Sequence, residues 1–246
     1  IILLPFVEEI AKRVNYISVV SSAATVYVAV LFAWDFLSKI LSKDSLREKL
    51  SARIRTISLV CAGLVAGFLL TFSDTFWFSA VESEVYAMSS LFTAVTFWAI
   101  LKWEEVADEP TNYRWIIFIA YLIGLSIGVH LLNLLCIPAV VYIVYFKKFK
   151  KVTTKGFILA GIISVVLVGF IQVILIPAIV SICGKFELFF VNSLGAPFNL
   201  GTIVYFVLLI ALIILGIYFT NKYKKVILNT AVLSFMFILI GYSSFF

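Results

Sequence analysis

The chain has 246 residues, of which 63% are hydrophobic and 13% charged, with a mean hydropathy of +1.15. Soluble domains carry roughly 25% charged residues, so this composition excludes a water-solvated globule and makes lipid the solvent. A formal charge of +6 does not point to nucleic acid, because Lys and Arg fall between apolar runs, where they orient a chain in a membrane.

Apolar runs occupy 16–38, 56–72, 86–103, 115–146, 157–182, 202–220 and 226–244. A bilayer-spanning helix needs about 20 such residues. The pattern predicts an all-α, polytopic transmembrane bundle, read as one domain over 1–246. No charged n-region follows Ile1 and the chain stops inside an apolar run at Phe246, so both ends read as cut. Cys61, Cys136 and Cys183 lie far apart, without the spacing of a zinc site or redox pair.

Short cytoplasmic loops collect Lys and Arg. Lys39, Lys43, Arg47, Lys49, Arg53 and Arg55 form one cluster, Lys147 to Lys155 a second, and Lys222, Lys224 and Lys225 a third. Placing all three inside requires an even number of crossings between them, which forces 115–146 to cross twice. As one helix that run would reach about 48 Å, against a hydrocarbon core of about 30 Å. It is therefore read as a short hairpin turning near Gly128-Val129-His130, the alternative being one tilted helix kinked at Pro138. The count becomes about eight crossings. Sixteen of the nineteen Lys and Arg then lie inside, with Lys12, Arg13 and Lys185 outside. Asp35 is expected to pair with Lys39 four residues on, and the acidic run Glu104, Glu105, Asp108, Glu109 is a solvated inner loop.

The outer side receives residues 1–15, 73–85, the His130 turn and 183–201. Within 73–85, Asp74, Glu82 and Glu84 sit among Phe76, Trp77, Phe78 and Tyr86. Carboxylates bind or deprotonate hydroxyls and aromatic rings cover apolar sugar faces, so the mixture suits a carbohydrate; an aromatic belt with solvated acids is the plainer reading. Ser83 or Glu82 is expected to cap the following helix, with Glu84 in its first turn. His130 is the one histidine, and Asn133 shares its face if the limb is helical. Both are expensive in lipid and so face a wet cavity or a neighbouring helix. No metal or other cofactor is expected, since one His without clustered partners supplies too few ligands.

The stretches DTFWFSAVESEVYAMSSLFTA (74–94) and YLIGLSIGVHLLNLLCIPA (121–139), with Arg13-Val14-Asn15 and Gly241-Tyr242-Ser243-Ser244, resemble a bacterial multi-spanning family related to protein O-mannosyltransferases, within the GT-C glycosyltransferase superfamily. The resemblance implies a multi-pass protein of the cell (inner) membrane. It implies transfer of a mannose-like sugar from a polyprenyl-phosphate carrier to a protein or glycan hydroxyl on the non-cytoplasmic face. In that family the principal carboxylate lies in the first outward loop, in an Asp-x-Gly-Glu motif followed by His-Pro-Pro-Gly; neither occurs here, so that helix and loop are expected upstream of Ile1. The resemblance leaves Glu84 and Glu82 as catalytic candidates and Asp74, Trp77, Tyr86, His130 and Asn133 as substrate-binding ones. Lys12, Arg13, Lys185 or His130 would meet the leaving phosphate. Two rivals stay open: a transporter or flippase, which a broken hairpin also suits, and a noncatalytic scaffold.

Overall fold

The computed structural model describes residues 9–43 and 50–244. Arg47 and Lys49 of the first basic cluster, and 1–8 of the first outer segment, lie outside them. The described chain is helical: α1 (Ile10–Leu41), α2 (Ala52–Thr71), α3 (Asp74–Val81), α4 (Val85–Val106), α5 (Tyr113–Val129), α6 (Cys136–Lys148), α7 (Thr154–Gly169), α8 (Ile176–Leu194), α9 (Leu200–Lys222) and α10 (Val226–Ser243). A 3₁₀ turn, Leu131–Leu135, precedes α6, and a π turn, Phe170–Leu175, joins α7 to α8 without a break. Among the described residues seven helices are long and apolar enough to span a membrane, and α5 is a shorter apolar one. With it, the apolar helices of this polytopic helical bundle equal in number the eight crossings expected.

The run 115–146 is a hairpin. Helix α5 ends where His130 turns extended (φ −163°, ψ 141°), and α6 brings Lys148 back to donate to the carbonyl of Ala107, beside the start of α5. Pro138 falls in the first turn of α6, where its missing N–H breaks no helical bond, so it does not kink the chain. Helix α5 is the centre of the bundle, burying Ile119, Leu122, Ile123 and Ile127 against α4 and its neighbours. On its other side it runs parallel to α10. A Cβ placed on Gly124 would lie 2.3 Å from the carbonyl oxygen of Ile238, and one on Gly241 would lie 2.6 Å from the nitrogen of Leu125. Only glycine allows two backbones this close. The outward side chains are apolar, Leu69 and Leu212 among the most exposed, as lipid demands.

Most of the described basic residues gather at one end. Lys39 meets Glu104 at 3.0 Å and Glu105 at 3.7 Å, Lys102 meets Asp35 at 2.7 Å, and Lys147 meets Asp108 at 3.7 Å. The expected pair of Asp35 with Lys39 is thereby corrected: both reach across to α4, because the α1–α4 seam places opposite charges closer than the next helical turn does. The acids after Trp103 are in part counter-ions to the basic clusters.

Two segment boundaries also change. Residues 183–194, expected as loop, continue α8. It ends at Gly195, whose φ of 63° closes the helix in a left-handed turn. The Glu187 carboxylate accepts from the N–H groups of Asn199 (2.6 Å) and Thr202 (2.9 Å), tying the end of α8 to the start of α9. Residues 74–81, expected as loop, form the two-turn α3, with the charge of Asp74 favourable in its first turn.

Candidate functional site

The end opposite the basic cluster collects the starts of α1 and α4, helix α3 and the hairpin turn. Helix α1 enters it with a buried hydroxyl face: Ser18, Ser21, Ser22 and Thr25 are nearly inaccessible, at the i, i+3, i+4, i+7 spacing of one helical stripe. Helix α1 packs on α4 as well as on α2 and α3. The Ser18 hydroxyl donates to the carbonyl oxygen of Glu84 at 3.4 Å, which fixes the entrance of α4 against α1. One turn earlier on α1, the buried Oδ1 of Asn15 has no hydrogen-bond partner among the described residues. Neither Ser18 nor the open acceptor of Asn15 stands out in the sequence, since their roles come from the helix face and the neighbour it meets.

Glu82 and Glu84 flank Ser83 between α3 and α4. Both have extended backbones, φ −91° and −118°, and both side chains are exposed. The expected capping arrangement is corrected: α4 begins at Val85, Glu84 itself is the N-cap, and its side chain makes no capping bond. A glutamate side chain is too long to bend back efficiently onto its own helix start, where Ser, Thr, Asp and Asn are preferred. Neither carboxylate has an ion pair or hydrogen bond among the described residues, so each is an open acceptor.

Two residues after Glu84, the Tyr86 ring meets the His130 imidazole, with centroids 5.4 Å apart and planes tilted by 53°. The Nδ1 of His130 accepts the Leu132 N–H at 3.1 Å and caps the 3₁₀ turn. That acceptor role places the proton of the neutral ring on Nε2, leaving an N–H donor free. Asn133 does not join this group. Because His130 leaves the helix in an extended conformation, the shared helical phase is lost and Asn133 points inward. It is wholly buried, with its amide nitrogen donating to Ser126 Oγ (3.1 Å) and Thr96 Oγ1 (3.3 Å).

Trp77 and Phe76, on α3, form one wall of an apolar groove of about 490 Å³, closed by Val19, Ser22 and Val26 of α1 and by Thr71. Glu82 follows directly on Val81 at its margin. Asp74 is exposed at the far end of α3, roughly 12 Å away along the helix. The structure therefore brings Tyr86 to His130 and places Glu84 and Glu82 just before Tyr86. It leaves Trp77 in the groove, sets Asp74 apart, and buries Asn133. Of the cations expected outside, Lys12 is bound to Glu9 at 3.0 Å, and Lys185 lies on α8, which packs mainly on α9.

No curated protein and no solved structure matches the chain. A family model does match, that of the protein O-mannosyl-transferase TMEM260 N-terminal domain, over residues 1–153, a span that holds α1 to α6 and with them the open carboxylates, Tyr86 and His130. The chain is a multi-pass membrane protein belonging to the protein O-mannosyl-transferase TMEM260 N-terminal domain family.

Proposed function

We propose that the protein is a GT-C-type membrane glycosyltransferase that moves a mannose-like sugar from a polyprenyl-phosphate carrier to a protein or glycan hydroxyl on the non-cytoplasmic face. The observation that carries this is the open Glu84 carboxylate beside the Tyr86–His130 pair, at the end away from the basic clusters, which the positive-inside rule assigns to the cytoplasm. In this reading the acceptor hydroxyl gives its proton to a carboxylate base, which the resemblance locates in a preceding outward loop. Its oxygen bonds to the anomeric carbon as the bond from that carbon to the phosphate oxygen breaks, and the lipid phosphate leaves with the electron pair. The configuration inverts. Glu84 and Glu82 accept hydrogen bonds from sugar or acceptor hydroxyls and offset positive charge on an oxocarbenium-like transition state. Tyr86 covers an apolar sugar face, the Nε2–H of His130 donates toward phosphate oxygens, and the Trp77 groove takes the start of the polyprenyl chain. Asn133 acts one step removed, by holding the turn that presents His130.

The test is transfer from a polyprenyl-phosphate sugar by the full-length protein carrying Glu84→Gln. A loss of at least tenfold is expected, about 1.4 kcal/mol in the barrier, with normal expression and unfolding temperature. Unchanged transfer would reduce Glu84 to a helix-start residue.

A further inference from the structure

At the basic end, away from the proposed active site, α5, α6, α7 and α10 leave a crevice of about 620 Å³ between them. Its walls are apolar, including Ile116, Val140, Val144, Ile163 and Ala231, and its polar margin holds Trp103 and Lys148. Trp103 is 2% exposed, yet its Nε1–H has no acceptor among the described residues. Ser234, also on the crevice wall, has an unpartnered hydroxyl oxygen. A buried donor left unmade costs about 1–3 kcal/mol, so such a pair signals a partner supplied from outside the chain.

The charge around the crevice has the same character. Lys148 Nζ lies 5.9 Å from the Trp103 ring centroid and donates to the Ala107 carbonyl, but meets no carboxylate among the described residues. Lys224 and Lys225 line an adjoining hollow that shares Val226, Ile227 and Ala231 with the crevice, and they too lack a carboxylate partner there. Of the neighbouring acids, Asp108 is engaged with Lys147 and Glu104 and Glu105 with Lys39, while Glu109, next to Pro110 on the crevice wall, is exposed and meets none of the lysines lining the crevice. The result is an apolar slot, an unmet indole donor and uncompensated ammonium groups at one membrane level.

We infer that this crevice binds an anionic phospholipid, one acyl chain lying between α7 and α10 and the phosphate oxygens meeting Lys148 and the Trp103 Nε1–H, with Lys224 and Lys225 at the headgroup edge. A phosphodiester satisfies both features, since its oxygens accept from N–H donors and its charge offsets the lysines. Anionic lipids are also concentrated in the leaflet that basic loops face.

The test is native mass spectrometry of the full-length protein in detergent, titrated with dioleoyl phosphatidylglycerol or dioleoyl phosphatidylcholine. Phosphatidylglycerol should bind at least about fivefold more tightly, and Trp103→Phe and Lys148→Gln should each weaken it by about threefold or more while leaving phosphatidylcholine unchanged. Ala231→Phe fills the slot from an exposed position, so it reads the site even if Lys148→Gln fails to fold, and it should weaken both lipids. Equal affinity for the two lipids, or phosphatidylglycerol binding untouched by Trp103→Phe and Ala231→Phe, overturns the assignment in favour of unspecific annular lipid. Full competition by glycerol 3-phosphate overturns the acyl-chain part in favour of a free-phosphate site. Glu84→Gln should leave lipid binding unchanged, which separates this site from the proposed catalytic one.

Discussion

The imidazole of His130 rests on the ring of Tyr86 at 5.4 Å while its Nδ1 accepts the Leu132 N–H at 3.1 Å, so one side chain both caps a turn and faces the start of α4. The two roles are separable. His130→Asn keeps a capping oxygen and should hold stability within a few tenths of a kcal/mol, whereas His130→Ala should lose about 1 kcal/mol. Both remove the ring and Nε2–H, and both should lower sugar transfer at least about tenfold. An Asn variant with full transfer would leave His130 a capping residue only.

Tyr86 offers the complementary check. Tyr86→Phe keeps the ring against His130 and should retain most transfer, while Tyr86→Ala should lose at least about tenfold, mainly in KM for the sugar donor. Equal behaviour of the two variants would move the contribution from the ring to the hydroxyl.

The backbone contact between α5 and α10 sets a stability prediction. A methyl group at Gly124 must displace the backbone of Ile238, 2.3 Å away, so Gly124→Ala should destabilise by about 3 kcal/mol, the upper range for overpacking. Gly169→Ala is the control: nothing lies within 4 Å of a Cβ there, and it should be neutral or slightly stabilising. Thermal unfolding in detergent decides between them.

For the ion pair of Asp35 with Lys102, whose side chains are 22% and 25% exposed, a double-mutant cycle with Asp35→Asn and Lys102→Gln should give a coupling of about 1 kcal/mol. The parallel cycle on Asp35 and Lys39 should give none.

Sidedness is tested by cysteine accessibility in a background lacking Cys61 and Cys183. Lys150→Cys and Lys224→Cys should label from one side of the membrane, and Ser83→Cys and Ala196→Cys from the other. Mixed labelling within either pair would dismantle the eight-crossing arrangement.

The parts of this architecture that were legible beforehand rest on length and charge, which act along the chain. The hairpin follows from a run too long for one crossing and from the parity of the basic loops. What escaped depends on neighbours distant in sequence. Asp35 has Lys39 on the next turn of its own helix, and nothing in the spacing reveals that Lys102 is nearer. Asn133 shares a helical face with His130 only if the helix continues, and the extended backbone at His130 breaks that phase. Helix α3 was hidden because eight residues rich in aromatics read equally well as an interfacial belt. The meeting of Tyr86 with His130 was foreseeable as a shared end of the bundle, but the Ser18 hydroxyl that donates to the Glu84 carbonyl was not.

The unbroken passage from α7 through the π turn into α8 has a mechanical consequence. From Thr154 to Glu187 the helix measures roughly 50 Å, whereas from Thr202 to Lys222 the return leg measures roughly 30 Å. The two legs are fastened together at Glu187 and Thr202, and at the other end both finish among the basic residues. The longer leg must therefore lean or bend, and it does so away from α9, packing on α6 at its lower half and on α9 only at its upper half. A π turn at the midpoint is a recognised place for such a change of course. The legs therefore part company below the π turn, α7 packing on α6 and α9 packing on α8 and α10. The hairpin limb α6 is thus the support of α7, while α9 is held through α8 and α10.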